Sequence, residues 1–210
     1  AEYPSHGFVG EESGALRPDA EFVWVVDPID GTSNFAQGLA EFAVSVACVQ
    51  RGMPIAAAAF SSPEAVTYSA ALGLGARRGK RRIDAPHARL DDAAVIGLQW
   101  FRGAWEPGLL EPLFRSGARI RTFGSTVTQL CDVATGRLHA NVQTQGRVWD
   151  IAAAALIVLE SGARFTDFAG RAILPFDDLA SLQHYPSLAA AGPMHLALRR
   201  RLANVVVSEP

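Results

Sequence analysis

Cysteine, ligand-spaced histidine, unbalanced charge and long apolar runs are all scarce in this chain, and each scarcity closes a class of function. Cys48 and Cys131 are the only cysteines among 210 residues. They sit in apolar surroundings without metal-ligand spacing, so they read as reduced core residues, not as a disulfide framework or a zinc site. The five histidines, His6, His87, His139, His184 and His195, show no ligand pattern either. Charged residues make up only 19%, with a formal net charge of −2, which leaves no general attraction to nucleic acid or to an anionic membrane. No apolar run approaches the roughly 18 residues of a membrane span, no signal peptide is visible, and a cytoplasmic setting is expected. Internal repeats and low-complexity segments are also missing.

What is abundant is apolar: hydrophobic residues make up 49%. A globular chain of this length can bury a sizeable core as one large domain or two intimate halves. The first half reads as strands over 22–27, 41–50, 55–61 and 65–71, with an antiparallel run continuing over 73–83. Five cations, Arg77, Arg78, Lys80, Arg81 and Arg82, surround Gly79 there. Leu74 stands where a P-loop has its first glycine, and Arg81 follows the lysine in place of Ser or Thr, so a solvated hairpin is expected. A polar stretch, 84–92, divides the chain into halves at 1–84 and 85–210. Beyond it, strands at 95–100, 119–123 and 138–143 alternate with helices at 109–116, 125–136 and 148–160, with a loop at 102–108. Gly136 and Gly162 serve as stop signals. In the last helix Ile151, Ala155, Val158 and Leu159 share one face. Alternating strands and helices suggest a parallel or mixed second sheet.

The chemistry concentrates in Trp24-Val25-Val26-Asp27-Pro28-Ile29-Asp30-Gly31-Thr32-Ser33-Asn34-Phe35. An apolar strand ends abruptly in two carboxylates three residues apart. Pro28 fixes its own φ and has no N–H to give, while Gly31 is free to adopt φ > 0. Hard cations such as Mg²⁺ take oxygen ligands and are commonly held by one or two carboxylates plus substrate phosphate. Thr32-Ser33-Asn34 opens a helix in this reading, its free N–H groups facing an anion. The competing reading is an ordinary Asp-Pro/Asp-Gly turn with solvated acids.

Two further segments bear on that choice: Gly10-Glu11-Glu12-Ser13 upstream, and Trp149-Asp150-Ile151-Ala152-Ala153 leading toward Glu160-Ser161-Gly162. With these three ordered motifs the chain, from about Tyr3 to Leu202, resembles the inositol monophosphatase family of magnesium-dependent, lithium-sensitive phosphatases. The resemblance implies an α+β fold, a layered αβαβα sandwich with an antiparallel first sheet and a mixed or parallel second. It also implies two or three Mg²⁺ ions as cofactors, a small phosphomonoester as substrate, and a homodimer with neither nucleic acid nor membrane as partner. Metal pairs suit this chemistry because they lower the pKa of water and stabilise the leaving oxygen.

Residue by residue, the resemblance assigns Glu11, Asp27, the Ile29 carbonyl, Asp30 and Asp150 to the metals. Glu11, Asp30 and Thr32 are the implied catalytic set, with Glu11 and the Thr32 hydroxyl positioning the attacking water. Gly31 and Thr32 N–H groups would cradle the phosphate, Gly124-Ser125-Thr126 is the substrate-contacting turn, and Gln143, Arg147 and Asp150 complete the substrate side. Asp150 also reads as a plain helix N-cap, and Ser125 as another. Trp149 reads as packing and Glu12 as a surface neighbour.

Two departures from the family stand out. Gln143 occupies the place of a Glu that binds sugar hydroxyls in inositol-specific members, and Arg147 adds a cation suited to a second negative charge on the substrate. The family also carries a helical segment ahead of Gly10-Glu11-Glu12-Ser13, which supplies an acidic partner for the Thr32 position; nothing before Glu11 clearly replaces it. Inside the superfamily, histidinol phosphate, a sugar bisphosphate or a 3′-phosphoadenosine nucleotide are alternative substrates. A non-catalytic metal- or phosphate-binding regulator is the alternative outside it.

Overall fold

The computed structural model describes residues 3–99, 107–203 and 205. Eight strands form the first sheet: β1 (Gly7–Gly10), β2 (Gly14–Leu16), β3 (Phe22–Asp30), β4 (Ala43–Gln50), β5 (Met53–Ser61), β6 (Val66–Ala71), β7 (Gly75–Arg78) and β8 (Arg81–Ile83). They lie in the order β2-β1-β3-β4-β5-β6-β7-β8. The sheet is an antiparallel meander from β3 to β8, with short turns between its strands from β4 onward and a longer connection between β3 and β4. One pair departs from the antiparallel expectation: β1 runs parallel to β3, because the chain crosses over through β2 before joining β3. A single helical turn, α1 (Thr32–Ala36), follows β3.

The chain leaves this sheet after Ile83 and enters the second at β9 (Val95–Gln99). There follow α2 (Pro107–Phe114), β10 (Arg119–Arg121), α3 (Thr126–Thr135), β11 (Ala140–Gly146), α4 (Val148–Glu160), β12 (Arg164–Thr166), β13 (Tyr185–Ala190) and α5 (Gly192–Leu202). The sheet order is β10-β9-β11-β13-β12, with β10, β9 and β11 parallel and the β13 and β12 pairs antiparallel. It is a mixed sheet, as expected. The expected loop at 102–108 and the strand end at Trp100 fall mostly outside the described residues.

Side-chain alternation explains the layering. On β9 and β11, Ile96, Leu98, Ala140 and Val142 face one way and join Leu109, Leu113, Met194, Leu198 and Leu202 of α2 and α5 in one apolar cluster. Gly97, Gln99, Asn141 and Gln143 alternate with them. α3 and α4 lie in the layer between the sheets, in the core that also holds Val23, Val25, Ala43, Ala47, Val49 and Tyr68 of the first sheet. The fold is α+β and layered, and the described residues supply four successive layers, α-β-α-β. Among them no helix covers the far face of the first sheet, where the paired Val44 and Phe60 are exposed.

α4 departs from its expected one-sided pattern. Sandwiched between a sheet and α3, it buries every residue from Ile151 to Val158, while Leu159 is 38% exposed and faces away. The alanines at 152–155 are what allow such close approach from all sides. Cys48 and Cys131 are buried and unpaired with each other. The basic hairpin is exposed as expected, with Arg78 paired to Glu64. No helix among the described residues is long and apolar enough to cross a membrane.

This packing makes a testable contrast. Ala154→Leu overpacks the middle layer and is expected to cost about 1–3 kcal/mol in denaturant unfolding, whereas Leu159→Ala changes stability by less than about 1 kcal/mol. Equal costs at the two positions would show that α4 is not enclosed on all sides.

Candidate metal centre

β3 runs on through Pro28 to Asp30, with its pairing to β4 interrupted between Asp27 and Asp30. That irregularity lets both acids turn to the buried side: Asp27 is fully buried and Asp30 7% exposed. Pro28, with no N–H to pair, fits the interruption. Gly31 then takes φ 90° and starts α1. A Cβ there would lie 2.9 Å from the Glu41 carbonyl and 3.2 Å from the Gly124 carbonyl, so glycine is required by both backbone angle and space. Asn34 fastens the turn to distant chain: its amide donates to the carbonyls of Glu41, at 2.7 Å, and Phe123, at 2.6 Å.

Each acid is fixed by local backbone. Asp27 Oδ1 accepts the Ile29 N–H at 2.9 Å, and Oδ2 is buried without a partner. Asp30 sits at the N-terminus of α3, accepting the N–H groups of Thr126 (3.2 Å) and Val127 (2.8 Å) and the Ser125 hydroxyl. Asp150 is the third helical residue of α4, not its N-cap. From inside the helix its Oδ2 accepts the Arg147 N–H at 2.8 Å, and Arg147 is the cap residue. One oxygen from each of Asp27, Asp30 and Asp150 lies within 4.8 Å of the others.

This grouping carries an electrostatic penalty. Burial, reinforced by Asp30, Asp150 and Glu11, pushes the Asp27 carboxyl up to about 9, against the opposing Ile29 N–H. Burial and then Asp30 raise Asp150 to about 8. Burial also raises Asp30, but its donors on α3 hold it to about 6. Three mutually repelling carboxylates with an unpartnered buried oxygen form a hard, oxygen-only donor set, which fits a divalent cation such as Mg²⁺.

The three acids border a cavity of about 760 Å³. Glu11, in the three-residue turn between β1 and β2, lines it but is exposed and stands outside the close triad. Ile29, Gly31, Thr32 and Gly124 also line it, and the Thr32 hydroxyl donates to the Ile29 carbonyl at 2.9 Å.

Three expectations about the substrate side change. Ser125 and Thr126 are buried and do not line the cavity; Ser125 caps α3, and both residues are engaged with Asp30. Gln143 is also buried and outside the lining. The β11–β13 register shifts between Gln143 and Gly146, and the Gln143 amide packs under Gly146, where a Cβ would lie 2.5 Å from its Nε2. Gln145 lines the cavity, with Arg147, Gln99, Trp149 and His184. Sequence reasoning missed Gln99, Gln145 and His184. Gln99 lay in an apolar strand pattern, Gln145 is brought round only by the register shift, and His184 has no motif around it. The other lining residues not singled out, Ser33 and Asn34, lie within the motif at 27–35.

The profile described as inositol monophosphatase family matches residues 1–205. The chain is 35% identical over 173 residues to an inositol-1-monophosphatase of Rhizobium meliloti, covering 80% of this chain and 65% of that protein. It is 35% identical over 178 residues to the Nus factor SuhB of Pseudomonas aeruginosa, covering 80% of this chain and 66% of that one. The chain thus spans just under two thirds of the length of these curated relatives. Among solved structures, the extragenic suppressor protein SuhB of Bartonella henselae superposes with a TM-score of 0.84 at 28% identity, over 98% of this chain and 80% of that one. SaIMPase-II with bound inositol monophosphate gives 0.83 at 26%, over 95% and 77%. On the profile match and these identities, the chain belongs to the inositol monophosphatase family.

Proposed function

We propose that this site hydrolyses a small phosphomonoester with the help of Mg²⁺. The observation that carries the reading is the buried triad of Asp27, Asp30 and Asp150 on one wall of a cavity, with an unpartnered oxygen on Asp27. When bound, divalent cations would supply water activation and charge neutralisation at the leaving oxygen. Asp27, with one oxygen fixed by Ile29 and the other unpartnered, would hold a cation together with Asp30, Asp150, Glu11 and the Ile29 carbonyl.

The remaining roles belong to neighbours of the acids. The Gly31 and Thr32 N–H groups, at the start of α1, hold the phosphate. Thr32 donates its hydroxyl proton to the Ile29 carbonyl, so its lone pairs orient the attacking water. Glu11, exposed and lining the cavity, would hold a cation and orient the same water. Asp30 is held by α3 in a fixed orientation, which keeps the donor set preorganised. Ser125 and Thr126 act through Asp30 and not on substrate. Homodimerisation in this reading rests on the family resemblance alone, and the cytoplasmic setting on the sequence composition.

Phosphate release from a panel of phosphomonoesters tests the proposal. Activity is expected with Mg²⁺, inhibition with Li⁺, and loss of turnover in excess chelator. Full turnover in chelator contradicts a metal role, and no release from any ester favours a metal- or phosphate-binding regulator.

Asp27→Asn and Asp150→Asn are each expected to lower kcat by at least about a thousandfold while the fold persists. In Asp150→Asn the amide oxygen can still accept the Arg147 N–H, so a purely capping role predicts near-normal turnover instead.

The pH dependence of the metal-free fold follows from the same groups. Each folded-state pKa lies above the ordinary 3.8, so the protonated forms favour the fold. Their contribution is fully present below about 3.8 and is lost as pH rises through about 6, 8 and 9. Melting temperature without metal is therefore expected to fall between pH 6 and pH 9, and the slope should be shallower in Asp27→Asn. A flat profile for the native protein would contradict the repulsion.

A further inference from the structure

The cavity lining beyond the carboxylates has a chemistry that the motif residues do not explain. Gln145 is 5% exposed, and its Nε2 is buried with no partner. Arg147 Nη1 is likewise buried and unpartnered, and among the described residues Arg147 makes no salt bridge. Gln99, 6% exposed, accepts a hydrogen bond through Oε1 from Gln129 Nε2 at 3.1 Å. Gln129 Nε2 also donates to the Ser125 carbonyl at 3.2 Å. A carbonyl can only accept, so this second bond fixes the amide orientation of Gln129 and, through it, that of Gln99. The Gln99 end left over is Nε2, another donor. His184 anchors the main chain at Gln145: its Nδ1 is 3.1 Å from the Gln145 backbone carbonyl, which can only accept.

The buried, unpartnered groups of Gln145 and Arg147 are N–H donors, the free end of Gln99 is another, and the Arg147 guanidinium is a permanent cation; among the described residues Gln145 Oε1 makes no hydrogen bond either and is the one acceptor of the set. Buried donors without acceptors are unfavourable until something supplies oxygen. A polyol hydroxyl can also accept from such donors but leaves the guanidinium without a counter-charge, whereas a carboxylate or phosphate offers several lone pairs and a charge to match it. We infer that Gln99, Gln145 and Arg147 form a second anion subsite, which takes a carboxylate or second phosphate on the alcohol half of the substrate. Gln129 and His184 are its positioning residues. The substrate class is then a bis-anionic phosphomonoester: a phosphorylated sugar acid or a sugar bisphosphate. This rests on the phosphatase reading, but the subsite can be tested apart from turnover.

Three esters on one carbon skeleton separate the possibilities: sorbitol 6-phosphate, 6-phosphogluconate and sorbitol 1,6-bisphosphate differ only at the end remote from the 6-phosphate. With Mg²⁺, kcat/KM for at least one bis-anion is expected to exceed that for sorbitol 6-phosphate by about tenfold or more, mainly through KM. Which one gains tells whether the subsite takes a carboxylate or a phosphate. Arg147→Met and Gln145→Glu should each bring that ratio down to about one. Arg147 makes its α4 capping contacts through its backbone N–H and carbonyl, so Arg147→Met leaves them in place. Calorimetric titration of the same three esters with Ca²⁺ in place of Mg²⁺ reads the preference without turnover. Equal kcat/KM and equal Kd for all three, or a preference that survives both substitutions, overturns the subsite. A calorimetric preference without phosphate release supports the subsite and removes the phosphatase reading, and release without preference does the reverse.

Discussion

Three carboxylates from two chain segments, one in each half of the molecule, share a buried corner, and their mutual repulsion is the constraint around which the rest is arranged. Asp27 and Asp30 come from the end of β3, and Asp150 from the first turn of α4. Left to themselves, such groups would separate or protonate. The fold holds them together by backbone: Ile29 on Asp27, Thr126 and Val127 on Asp30, Arg147 on Asp150. Two helix N-termini, of α3 and α4, point into the corner, and their free N–H groups partly offset the charge. What they do not offset is left for a cation.

Much of the surrounding architecture serves that placement. The alanine run of α4 lets the helix sink between a sheet and α3, and this sets Asp150 opposite the end of β3. Gly31 allows the chain to turn where a Cβ would strike two carbonyls, and Asn34 fastens the turn to Phe123 across the molecule. A layered fold with one core spanning both halves is what keeps groups separated by more than a hundred residues within a few ångströms.

The candidate metal residues were legible through three ordered motifs that resemble one family: local spacing placed Asp27, Asp30 and Gly31 in one turn and Asp150 at a helix start, but by itself it left an ordinary turn and a plain N-cap as alternatives. The expected helix at 125–136 came within a residue of α3 at each end, because Ser125 and Gly136 are strong caps. Leu159 was misplaced because periodicity assumes one buried face, and α4 is enclosed nearly all round. The parallel β1–β3 pair was invisible because β2 is three residues long and leaves no turn signature distinct from its surroundings. Along the cavity, Gln145 takes the lining place expected of Gln143 through a register shift that no pattern of residue types announces. Ser125 has a hydroxyl suited to a ligand, but it is buried and spends it on Asp30. Residues whose role depends on the meeting of distant strands, such as Gln99 and His184, leave no local trace.

The central claim is that the buried acids hold protons until a cation displaces them. Calorimetric titration of the metal-free protein with Mg²⁺ at pH 7, repeated in buffers of different ionisation enthalpy, counts the protons released on binding. With Asp27 and Asp150 raised to about 9 and 8 and Asp30 to about 6, release of roughly one to two protons is predicted, falling in Asp27→Asn. Mg²⁺ binding with no proton release, or no binding at all, would contradict the account.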